Sequence, residues 1–127
     1  MNSLIIKPSL DSPAVYLDKE KNIFEIKGKS LPENVNLFYQ PIIDWFNEYF
    51  KNPNPETAIK FKLDYLNTAS SKAILSLLLA FEDAVKNGKT VKVLWNYEED
   101  DEDMKDIGEE YADIIQVPFE IIKLDNE

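Results

Sequence analysis

Between Ala58 and Leu66, Ile59, Phe61, Leu63 and Tyr65 alternate with Lys60, Lys62 and Asp64, the period of two that marks a strand with one buried face. Asn67 or Thr68 stops this pattern. From Ala69 onward Ala73, Ile74, Leu77, Leu78, Phe81 and Val85 recur at helical spacing, until Asn87-Gly88 supplies a C-terminal stop. Leu75 and Leu79 widen the apolar face, so this helix is expected to lie largely buried. A half-buried strand that feeds a buried helix points to helices packed on a sheet.

The flanking segments extend the same plan. Ala14 to Asp18 and Asn22 to Lys27, joined by Lys19-Glu20-Lys21, predict an antiparallel hairpin, with Ile23, Phe24 and Ile26 favouring extended structure. After Gly28, Ser30-Leu31-Pro32 is turn-like. A first helix then carries Val35, Phe38, Tyr39, Ile42, Phe46, Tyr49 and Phe50. Pro41 removes one backbone donor, which predicts either a kink there or a helix start just before it. Asn52-Pro53-Asn54-Pro55 ends this helix. A strand is expected from Thr90 to Trp95, a third helix with Met104, Ile107, Tyr111, Ile114 and Ile115, and a last strand from Val117 to Leu124. Strands alternating with helices imply right-handed crossovers and mainly parallel pairing. The expectation is a single α/β domain over residues 1–127, with a mixed, mainly parallel sheet, an N-terminal β-hairpin and three helices. Whether all the helices cover one face is left open.

Composition narrows the function. With no cysteine and no histidine, thiol nucleophiles, disulfides, imidazole bases and the usual zinc ligands are excluded. A hydrolase or transferase would have to use Asp64, Ser70 or Ser71 with Lys72 as base, and the chain has no Gly-rich phosphate loop to support one. A protein that is not an enzyme, with no cofactor and no metal, is the expectation. All 14 positive side chains are lysine, against 24 carboxylates and a net charge of −10, which argues against a nucleic-acid surface. No stretch has the length of a transmembrane helix, and Met1 to Pro8 lacks a signal-peptide core, so no membrane insertion and a cytoplasmic location are expected.

The segment Lys62 to Leu75 is the most informative for function. Free backbone amides gather where a helix starts, and with the positive end of the helix dipole they favour an anion. A phosphate on the Thr68 hydroxyl would be held there without arginine, and Lys72, one turn on, can add a charge partner. The plainer alternative makes Asn67 or Thr68 an N-cap and nothing more. The acidic run Glu98 to Asp103 lacks the alternation and glycine of a calcium loop and reads as a solvated loop that favours the next helix's dipole. Trp45, Phe46, Tyr49 and Phe50 read as core packing rather than a ligand stack.

Asp64-Tyr65-Leu66-Asn67-Thr68-Ala69-Ser70-Ser71-Lys72, the early Ser12-Pro13 strand, the aromatic first helix and the Trp95-Asn96-Tyr97 strand end resemble the SiaC-type regulatory phosphoproteins of bacteria. That family is similar in fold to STAS domains, the class that includes anti-sigma factor antagonists. The resemblance implies a STAS-like fold with Thr68 as the phosphoacceptor and Asn67, Ser70, Ser71 and Lys72 shaping the recognised surface around it. It further implies an unphosphorylated form that binds and activates a diguanylate cyclase, tuning cyclic di-GMP signalling and biofilm control. A cognate serine/threonine kinase would modify the threonine, and a metal-dependent phosphatase would restore it. Ala69 stands where the wider STAS motif commonly has a hydroxyl, and that motif's glycines are missing, which sets the chain further from an anti-sigma factor antagonist in a partner-switching system. An unregulated binding scaffold is the remaining alternative.

Overall fold

A computed structural model describes residues 1–125. The described residues form β1 (Leu4–Ile6), β2 (Ala14–Asp18), β3 (Ile23–Ser30), α1 (Val35–Tyr49), β4 (Thr57–Leu66), α2 (Thr68–Lys86), β5 (Val91–Glu98), α3 (Glu102–Ile114) and β6 (Phe119–Leu124). The six strands lie in the sheet in chain order, with β1, β2 and β3 antiparallel and β3 through β6 parallel. The expected mixed, mainly parallel α/β architecture with three helices is therefore present.

Every helical crossover moves one strand further in the same direction. Crossovers of one hand then lay their helices on one face. The burial pattern agrees, since Phe24, Ile26, Ile59, Phe61, Leu63, Val93 and Trp95 are buried beneath the helices. The opposite face carries lysines and carboxylates, paired as Lys27 with Glu25 at 3.4 Å, Lys62 with Glu98 at 2.7 Å and Lys92 with Glu120 at 3.7 Å. The question left open by the sequence is thus answered by a two-layer fold.

Several boundaries differ from the sequence reading, each for a tertiary reason. β1 was not expected, because Leu4-Ile5-Ile6 is too short to show a period and becomes a strand by pairing with Val15 to Leu17. β3 continues beyond Lys27 through Gly28 to Ser30, so the supposed turn begins one residue later. Gly28 has φ 122°, and the β3–β4 register shifts between it and Lys29, a bulge that a side chain would strain. β5 runs on to Glu98 rather than ending at Trp95, and β6 starts at Phe119 rather than Val117. Pro41 neither starts nor ends α1, which continues from Val35 to Tyr49. Phe46 and Tyr49 of that helix are buried, while Trp45 stacks on Tyr49 at 5.2 Å and donates its indole N–H to the Asn2 carbonyl at 2.9 Å.

α3 is seated on Trp95, whose indole N–H donates to the Met104 carbonyl at 2.9 Å. One turn on, the helix passes the ring at Gly108, where a Cβ would stand 2.4 Å from the indole Cδ1. Phe61 and Tyr111 hold the ring from other sides, with centroids at 5.4 and 5.5 Å, so the indole has little room to yield. Gly108→Ala should therefore destabilise by about 1–3 kcal/mol, the usual range for overpacking, although alanine favours a helix interior by about 1 kcal/mol over glycine. A thermal melt checks this, and a melting temperature equal to or above that of the native chain would show that the ring gives way.

Candidate functional site

β4 ends at Leu66, and Asn67, extended at φ −92° and ψ 176°, caps α2 by accepting the Ser70 N–H at 2.9 Å. Its carbonyl accepts the Ser71 N–H at 2.9 Å, and its own N–H donates to the Ser30 carbonyl at 3.1 Å. Of the two expected caps, Asn67 fills the role. Thr68 is the first residue of the helix, and it and Ala69 are exposed. Their amides lie at the helix start, where no intrahelical acceptor exists.

Two hydroxyl networks fix this turn from below. The Ser70 side chain is fully buried and accepts from the Ser30 hydroxyl at 2.9 Å. Ser30 gives its single proton to Ser70, so the Tyr39 hydroxyl, 2.5 Å from Ser30 Oγ, is the donor in that pair. From the other side the Tyr111 hydroxyl donates to the Ser71 carbonyl at 2.8 Å and lies 3.0 Å from Ser71 Oγ. The first turn of α2 is thereby tied to β3, α1 and α3. Among the described residues no buried side-chain polar atom lacks a partner.

The residues singled out in the sequence come together in a graded way. Thr68 and Lys72 are exposed, Asn67 and Ser71 are half-buried, and Ser70 lies beneath the surface. Ser70 and Ser71 are bonded to Ser30 and Tyr111 rather than to Lys72, so no serine–lysine pair of the kind a hydrolase needs is formed. Asp64 pairs with Lys62 at 2.5 Å, and Lys62 also reaches Glu98 at 2.7 Å. Burial alone would lower the Lys62 ammonium, but its bonds to Asp64 and Glu98 outweigh that and hold it above the ordinary lysine value. In the acidic run, Asp101 caps α3 by accepting the Met104 N–H at 3.1 Å, and Glu102 and Asp103 occupy that helix's first turn. No group of three or more carboxylates among the described residues is arranged to hold a metal ion. Nor is any helix there long and apolar enough to cross a membrane.

Ser30, Tyr39 and Tyr111 were not singled out by sequence reasoning. Ser30 lay in a segment read as a turn, and both tyrosines sat at apolar positions of helices. The available signal was chemical: a tyrosine at a core position must find a partner for its hydroxyl. Burial pushes the Tyr39 phenol up to about 12 and likewise raises Tyr111. In the unfolded chain Tyr39 ionises near the ordinary tyrosine value, so the folded state holds an extra proton there between about pH 10 and 12 and loses stability across that window, with Tyr111 acting in the same direction. Tyr39→Phe should cost about 1 kcal/mol near pH 7, the net worth of one hydrogen bond. The same change should flatten the fall of melting temperature above about pH 10. Melts across pH 7 to 12 check both, and an unaltered alkaline slope in the phenylalanine variant would assign that slope elsewhere.

Comparison with known proteins bears on the family and the fold. A family model described as the SiaC family regulatory phosphoprotein matches residues 6–124. An uncharacterized protein of Pseudomonas aeruginosa strain UCBPP-PA14 is 29% identical over 121 residues, covering 95% of this chain and 96% of its own. The crystal structure of apo-SiaC from Pseudomonas aeruginosa matches with a TM-score of 0.86 and 27% identity, over 96% of this chain and 99% of that one. SiaC in the crystal structure of the diguanylate cyclase SiaD with its activator SiaC, from the same organism, matches with a TM-score of 0.89 and 28% identity, over 95% of this chain and 99% of that chain. With the family pattern spanning nearly the whole chain, and the fold of apo-SiaC shared over 96% of it, this protein belongs to the SiaC family of regulatory phosphoproteins.

Proposed function

We propose that this chain is a phosphorylation-switched activator of a diguanylate cyclase, acting in cyclic di-GMP signalling and biofilm control in the cytoplasm. The observation that carries the reading is the placement of Thr68: exposed, at the first position of α2, beside amides that have no acceptor within the helix. Support for the partner comes from the related SiaC of Pseudomonas aeruginosa, which is solved together with the cyclase SiaD as its activator. The protein's role is to bind, not to catalyse.

On this reading a cognate serine/threonine kinase phosphorylates Thr68 and a metal-dependent phosphatase restores it. Ser70 and Ser71 are poor acceptors by comparison, one buried and the other bonded to Tyr111. Thr68, Lys72 and the exposed edges of Asn67 and Ser71 form the surface that meets the cyclase, while Ser70 holds it in place from beneath. Phosphate brings about −1.5 to −2 charge and three strong acceptors to a site otherwise occupied by a small neutral hydroxyl. A partner surface shaped for that hydroxyl must clash with the group or strip its water.

The expected outcome is that unphosphorylated protein and Thr68→Ala bind the cyclase, phosphorylation weakens binding by about a hundredfold or more, the equivalent of about 3 kcal/mol, and Thr68→Asp does so less completely. Because Asn67 and not Thr68 is the cap, Thr68→Ala should change stability by no more than about 0.5 kcal/mol, as for an ordinary surface substitution. Calorimetric titration of the four forms against the isolated cyclase decides the matter. Equal affinities sink the switch, and tighter binding of the phosphorylated form reverses its sign.

A further inference from the structure

Beside Thr68, between the end of β4 and the outer side of α3, lies an open groove of about 640 Å³. Its floor is apolar. Leu66 and Ile107 are half-buried there, Met104 closes the bottom, and Tyr65 remains 52% exposed at the lip. The rim is acidic throughout, with Asp64, Asp101, Asp103, Asp106 and Glu110 around it and no lysine among the lining residues. Asp64 is paired with Lys62, which it shares with Glu98, and Asp101 is engaged as the α3 cap. Asp103, Asp106 and Glu110 form no ion pair among the described residues and are exposed. They follow one another at i, i+3 and i+7 along α3, and like charges at such spacings weaken a helix. Asp103 is in the first turn, where the helix dipole favours it, but Asp106 and Glu110 lie beyond that turn and gain nothing from it.

The chemistry of the groove selects its occupant. A second copy of this chain, at a net charge of −10, would be repelled. A metal ion is poorly served, because the carboxylates do not converge in a cluster suited to one. What fits is a polypeptide segment with an apolar side chain for the floor and lysine or arginine side chains for the rim. We propose that this groove docks a basic, amphipathic segment of the diguanylate cyclase, an inference that rests on the function proposed above. The groove shares Tyr65 and Leu66 with the strand that leads into Thr68, so one partner can cover both.

The two contributions separate by their salt dependence. Phosphate on Thr68 adds negative charge beside an already negative groove, so its charge alone would attract a basic segment. Its predicted weakening of binding must come from shape and desolvation, and should leave the salt dependence as steep as before or steeper. Neutralising the rim should instead flatten that dependence. The test is calorimetric titration of the isolated cyclase into the native chain, Asp106→Asn/Glu110→Gln and Asp106→Lys/Glu110→Lys, at low and at high ionic strength. Glu20→Gln/Glu56→Gln, at the opposite end of the sheet, serves as the charge-matched control. We expect the lysine pair to bind at least about tenfold more weakly at low salt, the neutral pair to lie between with a shallower salt dependence, and the control to match the native chain. Both substituted positions are exposed, and the neutral pair relieves repulsion, so its melting temperature should not fall; it decides the question if the lysine pair does not fold. Native-like affinity and salt dependence in the neutral pair overturn the groove proposal while the cyclase reading stands. No binding by the native chain overturns both.

Discussion

A hydroxyl with no access to water must be hydrogen bonded, and Ser70 sets that requirement at the first turn of the central helix. Its partner is Ser30, which lies at the end of β3 only because the strand runs past Gly28 and bulges there. Ser30 in turn needs Tyr39, which fixes where the second turn of α1 can sit. The backbone repeats the constraint, since the Asn67 N–H reaches the Ser30 carbonyl at 3.1 Å. Leaving one such group unpaired would cost about 1–3 kcal/mol, a large share of the stability of a domain this size. The register of β3, the pose of α1 and the start of α2 are thus coupled through one chain of hydroxyls.

Sheet order explains why the exposed end of that chain becomes a site. With β3 to β6 parallel and in sequence order, the starts of α1, α2 and α3 all emerge at the C-terminal ends of strands, on one edge. Three of the seven exposed large apolar side chains among the described residues lie at that edge: Leu10 in the β1–β2 loop, Leu37 in the first turn of α1, and Tyr65. Leu10 is brought there by its neighbour Asp11, whose carbonyl accepts the Leu31 N–H at 2.9 Å. Ligands and partners of open α/β sheets meet them at this edge, because the helix starts present unpaired N–H groups and the loops are free to vary.

Much of this was legible in the chain. The alternation from Ala58 to Leu66 and the helical spacing after Thr68 placed the central strand and helix to within one residue. The aromatic first helix and the Asn87-Gly88 stop were equally plain. What stayed hidden depends on contacts between distant segments. Leu4-Ile5-Ile6 has no period of its own, and Gly28 looks like the end of a strand until β4 pairs across its bulge. In the site, Thr68 and its neighbours were visible from the strand-to-helix change. Ser30 and the two tyrosines were not, because a tyrosine at a core position reads as an apolar residue until the partner of its hydroxyl is known.

The clamps also bear on what kind of switch this turn supports. Releasing Ser70 and Ser71 would break the Ser30–Ser70 bond and both contacts of Tyr111, each worth about 0.5–1.5 kcal/mol net, and would leave buried oxygens without partners. An anion at an exposed helix start gains about 0.3–1 kcal/mol from the dipole, with charge-assisted bonds to free amides adding about 1.5–3 kcal/mol. The amides of Thr68 and Ala69 are free already, so a phosphate on Thr68 can collect that gain without disturbing Asn67 or Ser70. Nothing is recovered by unwinding the turn. On the proposed reading the signal is therefore a change in the shape, charge and hydration of a fixed surface, sensed by whatever docks there. A helix start held on three sides suits that mode, since a looser one could bury or swing away the very group that the partner must detect.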